Sequence, residues 1–199
     1  STQGVSSAAS DVYKRQLLDC ENEMKLLGTI ISSDLSWTAN TNNLIKKAYA
    51  RMQILRNLYS FKISLEDLIQ IYTIYIRCYL EQSCVIWSSS ITQVESESIE
   101  RVQKVALRIC LKNDYISYEH ALEKTKLETL EERRELLSLR FAKKCVKHPE
   151  MKRMFPLKNK EIGPDTRGSE KFHIQPWNTD RLRDSSIPYM QRLLNKYGM

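Results

Sequence analysis

The segment SLEDLIQIYTIYIRCYLEQSCVIWSSSITQVESESIERVQKVALRIC, residues 64–110, decides how this chain is read. It contains no histidine, no glycine and no paired aspartate, so little in it can do chemistry. What it carries is punctuation and periodicity. Ser64 with Asp67 and Thr92 with Glu95 are two capping-box spacings, in which a hydroxyl accepts from an early helix N–H and an acid reaches back. After Ser64, the residues Leu65, Leu68, Ile69, Tyr72, Ile76, Tyr79 and Leu80 recur at helical steps and share one face. Ile71, Ile74 and Tyr75 fall on the other faces. A helix apolar nearly all round is one surrounded by partners. The segment is therefore expected to be the central helix of a bundle, running to about Trp87, where SSSIT breaks it. Thr92 then opens a helix to about Leu111, with Ile99, Val102, Ala106 and Ile109 facing inward.

Upstream, MKLLGTII (Met24 to Ile31) is short, apolar and interrupted by Gly28, which reads as a strand. SSDLSW follows as a turn. From about Thr41, Leu44, Ala48, Met52, Leu55 and Leu58 mark an amphipathic helix ending near Tyr59. Downstream, a short helix is expected around Tyr118 to Lys124. Thr129 with Glu132 starts another that runs to about Val146 and stops at His148-Pro149, because the residue before proline disfavours the helical region. Between Pro156 and Ser185 lie three of the five prolines and two of the five glycines, with little apolar periodicity. SSIPYMQRLLNKYG closes the chain as a short helix, with Pro188 near its first turn. The expected fold is mainly all-α: a helical bundle with one short N-terminal strand or hairpin and an extended C-terminal tail. Its divisions are a strand and turn over residues 17–37, the bundle over 38–155, and the tail with its short helix over 156–199. Residues 1–16, STQGVSSAASDVYKRQ, are small and polar and then abruptly basic. They resemble translated adapter sequence and are expected to be a non-native leader.

The 199 residues are 42% hydrophobic and 28% charged, enough for one sizeable core. The formal net charge of +7 suits an anionic partner such as nucleic acid. Five cysteines, Cys20, Cys78, Cys84, Cys110 and Cys145, are scattered without a C-x-x-C pair, which argues for reduced thiols in an intracellular protein, nuclear or cytoplasmic. No apolar run of membrane-spanning length occurs, and the first residues lack the plan of a secretory signal. No membrane partner and no small-molecule ligand are expected.

Catalytic signatures are missing. Cys145 and His148 could supply half a metal site, but no second pair completes it, and a structural zinc takes four ligands. No G-x-S-x-G, Walker-type or dinucleotide-binding glycine pattern occurs. Glu131 and Glu132 fall in a helix's first turn, where the dipole favours acids without any catalytic role. No catalytic residue, no metal ligand and no cofactor is assigned, and the chain is not expected to be an enzyme by itself.

The basic residues carry more information. From Thr41 to Ile63 the chain has Lys46, Lys47, Arg51, Arg56 and Lys62 and no acid. On the helix after Thr92, Arg101, Lys104, Arg108 and Lys112 form one narrow stripe away from most of the apolar face. Such a row can track a phosphate backbone, although charge runs commonly mean only a solvated face. The candidate nucleic-acid-binding residues are Lys46, Lys47, Arg51, Arg101, Lys104, Arg108 and Lys112.

These stretches also carry a resemblance. LLGTIISSDLSWTANTNNLIKKA, YIRCYLEQSCVIWSSS, IERVQKVALRIC, LETLEERRE and RDSSIPYMQRLLN occur here in the order of similar segments that follow the palm in reverse transcriptases of non-LTR (LINE-type) retrotransposons. The resemblance covers roughly Met24 to Asn195. It implies a helical thumb with a C-terminal extension, joined through the Met24–Ile31 strand to the edge of a palm domain that is missing here. It also implies non-specific contact with the RNA or DNA backbone of a template–primer. The parent would be an RNA-directed DNA polymerase using magnesium ions held by palm aspartates. No Asp-Asp pair occurs in this chain, so the fragment is expected to be non-catalytic. Leu26, Cys78 and Gln82 stand where the family usually has Tyr, Pro and Tyr. Without the proline, the helix through Arg77 is expected to be unbroken. The departures fit a degenerate or pieced-together copy. The competing expectation is a helical protein-interaction module whose stripe is merely solvated and whose partner surface is made by Trp37, Tyr75 and Trp87.

Overall fold

Leu27 and Gly28 both take positive φ, 48° and 88°, and this pair turns the chain back on itself. The computed structural model describes residues 21–157, 171–174 and 176–198. The leader assigned to residues 1–16 and most of the Pro- and Gly-rich stretch lie outside the described residues. Of the strand or hairpin expected here, the structure has the hairpin: β1 (Glu23–Leu26) and β2 (Thr29–Ser32) pair antiparallel. Gly28 is the tip of a hairpin, since two positive φ values at a two-residue loop match the twist of the strands it joins.

Helix α1 (Thr38–Ser60) buries Leu44, Ala48, Met52 and Leu55. Ser64 accepts from the Asp67 N–H and opens α2 (Leu65–Ile71), which continues as a π-helical segment (Tyr72–Arg77) and α3 (Cys78–Glu81). The expected helix to Trp87 does not form in one piece. The chain breaks at Gln82–Ser83, with Ser83 at φ 52°, before α4 (Cys84–Trp87). Nor is the segment surrounded, because Ile74 and Tyr75 are exposed while Leu68, Tyr72, Ile76 and Leu80 are buried. Helices α5 (Gln93–Leu111) and α7 (Leu130–Lys147) both begin with complete capping boxes, at Thr92/Glu95 and Thr129/Glu132, and α6 (Tyr118–Thr125) lies between them. Helix α7 ends at His148, whose ψ of 128° is the extended conformation forced by the following proline.

Helix α1 packs most extensively on α5, and α2 to α4 complete the main core around Tyr72, Ile76, Trp87, Ile99 and Val102. Leu107, Leu111 and Ala121 seat α6 in a smaller satellite cluster. A further cluster was not foreseen. Two short C-terminal helices, α8 (Asp180–Arg183) and α9 (Ser186–Tyr197), follow the Pro-rich stretch. Met190 and Leu194 of α9 bury Ala142, Cys145, Phe155 and Phe172. Phe155 and Phe172 meet edge to face at 6.4 Å. Asn195 holds the Phe172 backbone, accepting from its N–H at 2.8 Å and donating to its carbonyl at 3.1 Å. The described part of the expected tail is thus docked on α7. Among the described residues no helix is long and apolar enough to cross a membrane.

Candidate nucleic-acid interface

The capping box of α5 fixes where the helix starts, and its 3.6-residue repeat then fixes which side chains point outward. Ile99, Val102, Gln103, Ala106 and Cys110 are buried, and Arg101 and Arg108 are exposed on the opposite side, with Lys104 half-buried between. Lys112, expected on the same helical stripe, instead stands just past the end of α5 at a φ of 43°, where the helical repeat no longer sets its direction. Acids Glu95, Glu97 and Glu100 precede the cations along the helix, and of these charges only Glu95 in the first turn and Arg108 in the last lie within reach of the helix dipole.

Three of these cations rest on tyrosine rings. Lys104 Nζ lies 4.9 Å from the Tyr118 centroid and Lys112 Nζ 3.9 Å from that of Tyr59, while the Arg108 guanidinium lies 5.2 Å from that of Tyr115. A ring face attracts a cation without neutralising it. Among the described residues none of Arg101, Lys104, Arg108 and Lys112 pairs with an acid. The row is thus positioned but keeps its charge. Tyr118 is anchored from below: its hydroxyl donates to Glu100, which also accepts from the Leu130 N–H at the start of α7. Burial first, and then Glu100, pushes the Tyr118 phenol well above its usual range.

The α1 residues are arranged differently. Lys46 is exposed and Lys47 half-buried. Arg51 turns inward, donating to the Tyr79 hydroxyl at 2.7 Å with its guanidinium 4.0 Å from the ring centroid, so it clamps α1 to α3. Lys112, over the Tyr59 ring, is the place where the α5 row meets α1. The structure sets three of the seven candidate residues, Arg101, Lys104 and Arg108, on one helix, adds Lys112 just past its end, and leaves Lys46, Lys47 and Arg51 on another helix.

Sequence reasoning missed the tyrosines. Their signal was the interleaving of Tyr59, Tyr115 and Tyr118 with the basic residues, but which ring meets which cation depends on the packing of α6 and α1 on α5. Of the aromatics proposed for a partner surface, Trp87 is fully buried, with its indole N–H donating to the Gln82 carbonyl at 2.8 Å, and is corrected to a core residue. Trp37 packs half-buried against the core, and Tyr75 is exposed. Cys145 is buried, and among the described residues no group of three His, Cys, Asp or Glu side chains could hold a metal ion. Comparison with protein-family models, with curated proteins and with solved structures finds no match for this chain.

Proposed function

We propose that this chain is the non-catalytic, C-terminal thumb-like part of a non-LTR retrotransposon reverse transcriptase and that it grips the backbone of a template–primer. The observation that carries the reading is the row of Arg101, Lys104 and Arg108 on α5, extended by Lys112 just past the helix end and unpaired with acids among the described residues. Their spacing along α5 lets successive cations meet successive phosphates without reading bases. The hairpin supports attachment to a missing palm: it is two-stranded, and Met24, Leu26 and Leu27 are exposed on it. β2 rests on α1, where Asn40 accepts from the Ile30 N–H at 3.1 Å, while β1 is exposed along its length, and a two-stranded sheet gains from a further strand. Buried thiols at Cys84, Cys110 and Cys145 suit a reducing, intracellular setting, nuclear or cytoplasmic. No step of polymerisation is assigned to these residues, and magnesium chemistry belongs to the absent palm.

The test is fluorescence anisotropy with a labelled RNA–DNA hybrid at several salt concentrations. Binding is expected at low salt for hybrid, duplex and single strand alike, with log affinity falling linearly against log salt. Absence of binding at low salt removes the reading. A second reading, a protein-interaction module, is favoured by the adjacent exposure of Ile74 (56%) and Tyr75 (54%). Light scattering after size exclusion separates the two, since a defined oligomer indifferent to nucleic acid supports the interaction module.

A further inference from the structure

Arg134 is 4% exposed, yet it forms no ion pair among the described residues. Its Nη2 donates to the Ser96 hydroxyl at 2.9 Å, and its buried Nη1 has no partner among them. The side chain lines a cleft of about 180 Å³ bounded by the loop before α5, the first turns of α5 and α7, and Tyr189 of α9. That is well above the 10–15 Å³ or so that one water needs.

We propose that this cleft is a binding site for a phosphate-type oxyanion, with Arg134 as its charged anchor. The donors converge. Ser96 uses a lone pair for Arg134, which leaves its own proton to give. Ser89, whose buried hydroxyl has no partner among the described residues, lines the same cleft, as does Ser88. Gln93, the first residue of the 19-residue helix α5, also lines the cleft, although the capping box already uses the Glu95 N–H and places the Glu95 carboxylate at this end of the dipole. A guanidinium matches a tetrahedral oxyanion through parallel N–H donors. A buried guanidinium that no carboxylate contacts is costly: Glu100 and Glu131 act on Arg134 only from a distance, and an oxyanion in the cleft supplies a contacting charge.

Two carboxylates border the cleft. Glu135 is bound by Lys196 Nζ at 2.9 Å and the Tyr197 hydroxyl at 2.8 Å, so its charge is compensated. Glu131 is exposed and stands at the rim. It opposes an anion, and this gives the proposal a test that leaves the core intact.

The site stands apart from the α5 row and does not depend on the template–primer reading. The experiment is calorimetric titration of the whole chain with inorganic phosphate at constant ionic strength in chloride. Saturable binding is expected. Ser89→Ala should weaken it about 3- to 10-fold, the usual worth of one hydrogen bond. Glu131→Gln should tighten it, and Arg134→Gln, where that variant folds, should abolish it. A parallel titration compares a 5′-phosphorylated dinucleotide with its 5′-hydroxyl form. Preference for the phosphorylated form assigns the site to a nucleic-acid end; binding of inorganic phosphate alone assigns it to the free ion. No saturable heat with phosphate overturns the proposal, as does binding indifferent to both Ser89→Ala and Glu131→Gln.

Discussion

Gln103 sits at zero exposure in the main core and makes three hydrogen bonds there. It accepts from the Tyr72 hydroxyl at 2.6 Å and donates to the Tyr118 hydroxyl and the Glu128 carbonyl, each at 2.9 Å. Gln103→Ala is expected to destabilise by about 3 kcal/mol, because it leaves a small void and strands the Tyr72 hydroxyl in an apolar site. Adding Tyr72→Phe should recover part of that loss, since removing both partners costs less than removing one. Urea midpoints of the two variants check this, and equal midpoints would contradict it. The sequence shows a polar residue inside the apolar face of α5, but not its three partners, which are 31, 15 and 25 residues away. The thiols give a second residue-level expectation. Burial pushes Cys84 up to about 11 and Cys110 to about 12, from an ordinary value of 9.0. Above pH 9 the unfolded chain releases these protons while the folded chain keeps them, so stability falls as pH rises from 9 through the folded values. Below 9 both states are protonated and the thiols add no pH dependence. The urea midpoint of the Cys110→Ala variant should therefore fall less steeply than that of the parent chain between pH 9 and 11. An equal slope would show that the thiol contributes nothing.

At the scale of elements, the capping boxes were legible because each is local: Thr92 with Glu95 and Thr129 with Glu132 form within a single turn. The break after Glu81 was not, because neither Gly nor Pro marks it. Distant contacts select it instead. Arg133 of α7 holds Glu81 at 2.6 Å, which the buried Arg77 also approaches at 3.2 Å. Gln82 reaches the Leu27 carbonyl at 3.3 Å and sits so close to Gly28 that an added Cβ there would lie 2.4 Å from its amide nitrogen. The π-helical turn ahead of the break adds a residue to one turn and shifts the phase of the apolar face. The chain folds here by satisfying partners on the hairpin and α7, and helical periodicity alone contains none of that. The loop from α6 to α7 offers a cleaner trial of local rules. Lys126 ends α6 in the left-handed region at φ 57° and is exposed, and Thr129 caps α7 three residues later. Lys126→Gly is expected to stabilise by about 0.5–1 kcal/mol by removing Cβ strain. Thr129→Ala is expected to destabilise by about 1 kcal/mol. Thermal melts of the two variants should move in opposite directions, and a shared direction would show that the loop is held by something other than its caps.

Across the whole molecule, α7 joins the two larger apolar clusters: Leu130 belongs to the main core, and Ala142 and Cys145 to the C-terminal one. The main core was foreseen from periodic faces, whereas the C-terminal one was not, because Phe155 and Phe172 flank a Pro- and Gly-rich stretch with no period to read. The basic surface raises a different question at this scale. A chain of formal charge +7 attracts polyanions from any side, so binding alone does not single out α5. The dipole of α5 accounts for a cation in its last turn, at Arg108, but its effect fades within one turn and leaves Arg101 and Lys104 without that explanation. Two double variants with the same change in net charge separate the possibilities. Arg101→Glu with Arg108→Glu reverses the α5 row; Lys144→Glu with Lys152→Glu reverses two exposed cations on and just after α7. If α5 is the contact surface, the first pair loses nearly all affinity for an RNA–DNA hybrid and flattens the salt dependence by about two phosphates' worth. The second pair then changes affinity only by the weak, screened effect of distant charge. Equal losses in the two variants would mean that overall charge drives binding and that the row on α5 is only a solvated helix face.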